Sequence, residues 1–84
     1  MKEIRWSPEK NVELQNTRHV TFELLLGSRF IGIDKHAGKE HQNLMLFEYN
    51  HYVWVVPFVE DKDHYFLKTA FPSRKHTRQY LKGR

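Results

Sequence analysis

The sequence predicts an α+β domain: two N-terminal helices packed on an antiparallel β-meander of three to four strands, closed by a short basic C-terminal helix. Three observations carry this reading. Two helix starts, Ser7-Pro8-Glu9 and Thr21-Phe22-Glu23, stand close together near the N-terminus. Three strand-like stretches then run from Leu44 to Phe71 with short polar connections. Beyond Pro72-Ser73 the chain turns basic. Helices grouped before an antiparallel run pack onto one face of a sheet. The 84 residues make one domain, 1–84, with no room for a second core.

Ile4-Arg5-Trp6 is a short apolar lead-in. Ser7 suits an N-cap, Pro8 the first helical position and Glu9 the first turn, so a helix runs from there to about Thr17 or Arg18. Lys10, Leu14 and Thr17 share a face, but Val12 and Leu14 are too close for one narrow stripe. Part of this helix is therefore exposed, and Trp6 supplies packing. Thr21 caps the second helix, in which Phe22, Leu25, Leu26 and Arg29 recur at helical spacing. The capping-box acid is missing and Gly27 weakens the interior, so this helix ends near Ser28 to Phe30.

Phe30 to Asp34 reads as a short first strand, and His36 to Asn43 as a polar loop. Leu44 to Tyr49 alternates Leu44, Leu46 and Glu48 against Met45, Phe47 and Tyr49. Asn50-His51 is a two-residue turn without the glycine that favours such hairpins. Tyr52 to Val59 is apolar on both faces, as in a central, covered strand. Pro57 within it implies a bulge or a local edge. Glu60 to His64 is a polar connection. Tyr65 to Phe71 is the last strand, with Lys68 facing away from Leu67 and Thr69. Pro72 ends that strand, and Ser73 caps the final helix.

Composition narrows the function. There is no cysteine, hence no disulfide and no thiolate metal site. No apolar run approaches the ~20 residues of a membrane helix. Met1-Lys2-Glu3-Ile4-Arg5 lacks a signal-peptide core, which makes the cytoplasm the expected location. The net charge of +4 is unevenly placed. Residues 1–63 carry 8 Lys/Arg against 10 Asp/Glu, whereas residues 64–84 carry 6 Lys/Arg and no acid. A basic end on a slightly acidic body calls for a polyanionic or acidic partner there, either nucleic acid or an acidic protein.

The six histidines follow no HExxH spacing and read as surface or capping residues rather than ligands. Glu60, Asp61 and Asp63 resemble a two-metal cluster, but with Lys62 among them between two strands they read better as a solvated turn. There is no glycine-rich phosphate loop and no nucleophile elbow. What remains is Lys68, Arg74, Lys75, His76, Arg78 and Tyr80. Arg74 and Lys75 fall in the first turn of the last helix, the wrong end for cations unless an anion sits there. The segment is either a solvated basic tail or a phosphate-facing site. A metal-free ribonuclease needs little more than this set. Arginine stabilises the phosphorane charge, and His, Lys or Tyr moves protons. Arg74 and Arg78 share a helical face. Tyr80 lies off it, to stack a base or to complete the core.

Ile4-Arg5-Trp6-Ser7-Pro8-Glu9-Lys10-Asn11 and Arg18-His19-Val20-Thr21-Phe22-Glu23 resemble the opening of the BrnT-type toxins. These are the toxin halves of bacterial type II toxin–antitoxin pairs, in the RelE/ParE-like superfamily. Pro72-Ser73-Arg74-Lys75 with Tyr80 resembles the family's Ser-Ala-Arg element and the basic helix after it. The resemblance implies a RelE-like fold and a ribonuclease that stops translation by cutting mRNA, on or off the ribosome. It implies no cofactor and no metal, a cognate antitoxin as partner, contact with operator DNA only through that antitoxin, and no membrane. On this match Lys10 and His19 take the family's helix-one Lys and loop His, and Arg74 its Ser-Ala-Arg arginine. The expected catalytic set is Arg74, His19, Lys68 and Tyr80, and the expected RNA-binding set is Lys10, Lys75, His76 and Arg78. Ser7 departs from the family's acid after Trp, Gln79 from its Glu, and the stretch Asn43 to Met45 lacks its Arg. A non-catalytic module that docks an acidic antitoxin or nucleic acid is the alternative reading.

Overall fold

The computed structural model describes residues 2–35, 38 and 42–82, and it opens on a strand rather than a helix. β1 (Glu3–Trp6) occupies the expected lead-in and pairs in parallel with β5 (His64–Leu67). Between them come α1 (Pro8–Arg18), α2 (Phe22–Leu26), β2 (Arg29–Lys35), β3 (Gln42–Tyr49) and β4 (Tyr52–Glu60). β6 (Phe71–Pro72) and α3 (Arg74–Leu81) follow β5. The strands form one sheet in the order β1-β5-β4-β3-β2, with β6 also paired to β4. The expected antiparallel meander of three to four strands is thus a mixed sheet of six. β1 is not legible locally, because it is four residues long, mostly exposed, and pairs with a strand 61 positions further along, Glu3 opposite His64.

The helix starts form as their sequences dictate. The Ser7 hydroxyl accepts from the Lys10 amide at 3.3 Å and the Thr21 hydroxyl from the Leu24 amide at 3.1 Å, each satisfying an orphan donor. α1 buries only Leu14 fully, and Trp6 packs its ring 5.5 Å from that of Phe22. α2 stops earlier than expected. The Gly27 amide turns back to the Glu23 carbonyl, and Arg29 and Phe30 join β2 instead.

Asn50 and His51 both adopt left-handed backbone, φ 56 and 64, so the hairpin between β3 and β4 closes without glycine. β4 is central and covered on both faces, and Pro57 pairs in register with Leu44 of β3. Its missing N–H faces the other side, where the expected last strand divides. Leu67 of β5 lies opposite Phe58 and Phe71 of β6 opposite Val55, with Lys68 to Ala70 outside the strand ladder between them. The Lys68 amide still reaches the Pro57 carbonyl at 2.8 Å, so only the donor that proline lacks goes unused. The loop expected over 36–43 lies largely outside the described residues, and Gln42 and Asn43 belong to β3.

The helices do not share one face. α1 and α2 cover the face of Met45, Phe47, Trp54, Val56, Phe58 and Leu67. The other face, Leu44, Leu46, Val53 and Val55, is met by Phe71 and by Leu81 of α3. The alternation along β6 explains the crossing: Pro72 pairs with Trp54 and Phe71 with Val55. From there the chain passes to the far side, where the Thr77 hydroxyl accepts from the Val53 amide at 2.8 Å. Among the described residues no helix is long and apolar enough to cross a membrane.

Candidate functional site

The corner between α1 and α2 sets the position of His19. Asn11 stitches it from inside: its carbonyl oxygen accepts from the Phe22 amide at 2.8 Å and its amide donates to the Glu23 carboxylate at 2.7 Å. That hydrogen bond, with help from Glu23's own backbone amide, holds the carboxyl below the usual glutamate range. The chain then has to reverse at the end of α1. His19 does so as the C-cap, with φ 60 and ψ 31, a conformation usually left to glycine. Val20 plugs into the core just after it, so the His19 side chain is left exposed at the surface.

Across from this corner lies the hairpin turn. The two form a cleft of about 510 Å³, with Arg18, His19 and Val20 on one side and Tyr49, Asn50 and Tyr52 on the other. Trp54 and Pro72 complete its lining. Tyr49 and Tyr52 are directly opposite in the strand register and half-buried, and Trp54 is buried. Lys2, Arg5, Lys10 and Arg29 each pair with a carboxylate, whereas Arg18 has no such partner among the described residues. An arginine without a carboxylate partner in a cleft lined by aromatic residues suits a ligand that is both anionic and aromatic.

α3 begins as the sequence predicts. The Ser73 hydroxyl accepts from the His76 amide at 3.1 Å, and Arg74 and Lys75 stand exposed in a first turn that holds no acid. His76 points inward. Its Nδ1 is 2.7 Å from Ser73 Oγ, its Nε2 is 3.7 Å from an Asp34 carboxylate oxygen on β2, and its side chain is 12% exposed. Tyr80 stacks parallel to His76 at 6.4 Å and stays 40% exposed, so it neither completes the core nor lies free. Lys75, Arg78, Gln79 and Lys82 line a shallow groove of about 350 Å³ along the outer side of the helix.

The expected site residues therefore fall into separate places. His19 sits in the cleft on the α1–α2 face, while Lys75 and Arg78 are on the helix that covers the opposite face. Arg74 joins the two regions, since it follows Pro72, a cleft residue, by two positions. Lys68 lies in the link before β6, its ammonium 5.4 Å from the centre of the Phe66 ring. Lys10 is engaged with Glu13 at 2.8 Å on α1. The cleft residues Arg18, Tyr49, Asn50, Tyr52 and Trp54 were not picked out by the sequence. The two-residue turn signals that Tyr49 meets Tyr52, but nothing local signals that both meet His19.

The acidic stretch behaves as a turn. Asp61 accepts from the Asp63 and His64 amides at 2.8 and 2.6 Å, which holds its carboxyl below the usual aspartate range. Glu60 pairs with Lys2. His36 and His41 lie outside the described residues.

No family model and no curated protein matches the sequence. The fold, however, is similar to that of the Brucella abortus ribonuclease toxin BrnT, known from a 1.1 Å crystal structure. The two superpose with a TM-score of 0.57 over 87% of this chain and 97% of that one, at 14% sequence identity. The chain has a BrnT-like fold.

Proposed function

We propose that this chain is the toxin of a type II toxin–antitoxin pair, an endoribonuclease that cuts mRNA without a metal. The observation that carries the reading is a cleft bearing His19, two residues of chain away from Arg74, in a fold shared with a ribonuclease toxin. In this reaction the 2′-hydroxyl of the RNA attacks the adjacent phosphorus and the 5′-oxygen leaves. His19 takes the hydroxyl proton. The planar fork of Arg74 neutralises the charge that builds on the phosphorane oxygens. Tyr80, on the same helix as Arg74, and Lys68, just before it in the chain, are the candidates for returning a proton to the leaving oxygen. Lys75 and Arg78 hold flanking phosphates. Lys10 and His76 bind RNA only when their contacts to Glu13 and Asp34 open. The antitoxin covers the basic end, where residues 64–84 hold no acid to neutralise their charge.

Expression in a bacterial host tests the reading. The expected outcome is growth arrest with fragmented RNA on a gel. Arg74→Lys keeps the charge but loses the bidentate fork. It should lower activity by roughly two to three decades, the effect of losing one transition-state contact worth about 2.7–4 kcal/mol. Circular dichroism of the variant should be that of the native protein, because Arg74 is exposed. Full toxicity in folded Arg74→Lys protein removes Arg74 from the mechanism. Arrest with intact RNA overturns the ribonuclease and leaves the non-catalytic binding module.

A further inference from the structure

Among the described residues three that are not glycine hold a positive φ: His19, Asn50 and His51. Two of them, His19 and Asn50, line the same cleft from opposite sides. At the end of α1 the backbone would be served better by glycine, while Asn50 fills the first position of a two-residue hairpin turn, where asparagine is a favoured residue. The His19 side chain is kept there against that preference, and left-handed residues of this kind gather at ligand sites. Among the described residues Arg18 adds a cation without a carboxylate partner beside them, and no acid lines the cleft. Tyr49 and Tyr52 keep part of their rings open to solvent over the more deeply buried Trp54. The volume, about 510 Å³, is that of a small-ligand site rather than of a protein groove.

We propose that this cleft is a nucleotide pocket. One unpaired base of a single-stranded RNA enters between Tyr49, Tyr52 and Trp54, its phosphate is held by Arg18 and His19, and its edge is read by the side-chain amide of Asn50. The choice of RNA as ligand rests on the ribonuclease reading above. Unstacked bases laid on aromatic rings are the usual basis of single-strand recognition, and a paired base cannot reach such a cleft. Because Pro72 on the rim leads to Arg74, the captured base neighbours the phosphate that is cut. The pocket therefore sets which nucleotide stands next to the cleavage point.

The test is binding of a fluorescent pentanucleotide carrying 2′-O-methyl groups throughout, which removes the attacking hydroxyl and uncouples binding from cleavage. The native protein should bind it, and the duplex of the same sequence should bind more weakly. Tyr52→Leu should weaken binding by roughly one to two decades, the effect of losing a stacked base. Arg18→Gln and His19→Gly should each weaken it about tenfold, as for a lost charge-assisted contact. Both alter exposed residues, and His19→Gly relaxes its backbone, so both keep the fold and report on the cleft independently of half-buried Tyr52. Lys62→Gln, in the exposed turn, is the unchanged control. Equal affinity for native protein and the cleft variants overturns the pocket, as does tighter binding of the duplex. So does an acidic peptide that displaces the oligonucleotide from native protein and itself depends on His19. If the variants lose affinity while native protein leaves RNA uncut, the pocket stands and the ribonuclease falls. If native protein cuts RNA and the variants bind as it does, the ribonuclease stands and the pocket falls.

Discussion

The two faces of the sheet are covered by different physics. On one, α1, α2 and the link between them bury Leu14, Val20, Phe22 and Leu25 against a wall that includes Phe47, Trp54 and Phe58. On the other, α3 buries no residue completely. It rests half-buried Leu81 on Val53 and Val55, and is otherwise fixed by polar contacts through Ser73, His76 and Thr77. Apolar burial is non-directional and supplies most of the stability, whereas a few hydrogen bonds contribute less but fix position. The α1–α2 face thus holds the fold together, and the α3 face holds a basic helix in place.

Two truncations break that comparison open. Phe22→Ala, at a site with 0% exposure, should cost about 3–5 kcal/mol, a large share of the stability of a domain of this size. Leu81→Ala should cost about 1 kcal/mol, since only part of that side chain is withdrawn from water. Urea midpoints of the two variants give the ratio directly. Equal losses would mean that α3 belongs to the main core after all.

Thr77→Val sharpens the comparison from the other side. The Thr77 hydroxyl accepts from the Val53 amide at 2.8 Å and donates to the Ser73 carbonyl at 2.7 Å. Valine keeps the shape and leaves the amide of fully buried Val53 without a partner, at a cost of about 1–3 kcal/mol. Hydrogen exchange should then show α3 opening well before β3 and β4. Uniform loss of protection across all three would show that the helix cannot open alone.

The same contrast explains what the sequence disclosed. Signals within a few residues of each other were readable: Ser7-Pro8-Glu9 starts α1, Ser73 caps α3, and the alternation from Leu44 onward marks β3. Signals that depend on distant partners were not. β1 is too short for the alternation of Glu3-Ile4-Arg5-Trp6 to mark a strand, and it exists through parallel pairing with β5. The single last strand broke in two because Pro57, on its neighbour, has no donor to offer there. α3 went to the opposite face through the alternation of Phe71 and Pro72, which no periodicity within the helix announces. Of the candidate site, His19 and Arg74 were legible through short motifs. The cleft that holds His19 is assembled from residues 18–20, 49, 50, 52, 54 and 72, which only the fold brings together.

The smallest effect concerns the corner that carries His19, and it shows whether polar contacts also position part of the well-packed face. Asn11 and the Glu23 carboxylate meet at 2.7 Å, and the contact holds the Glu23 pKa below that of the unfolded chain. A carboxyl depressed on folding stabilises the protein above its unfolded value of about 4.3, and the contribution disappears as pH falls through the lower folded value. Glu23 is exposed, so its share is small, at the low end of the roughly 0.2–1 kcal/mol found for surface contacts. Other carboxyls titrate in the same window. Arg5 holds Glu3 low, and the Asp63 and His64 amides do the same for Asp61. The native protein alone therefore cannot isolate the corner. The difference in stability between native and Glu23→Gln protein can. It should favour the native protein near pH 6 and shrink towards zero as the buffer approaches pH 3. A difference that stays constant across that range would mean that the Asn11–Glu23 contact does not help hold the turn at His19.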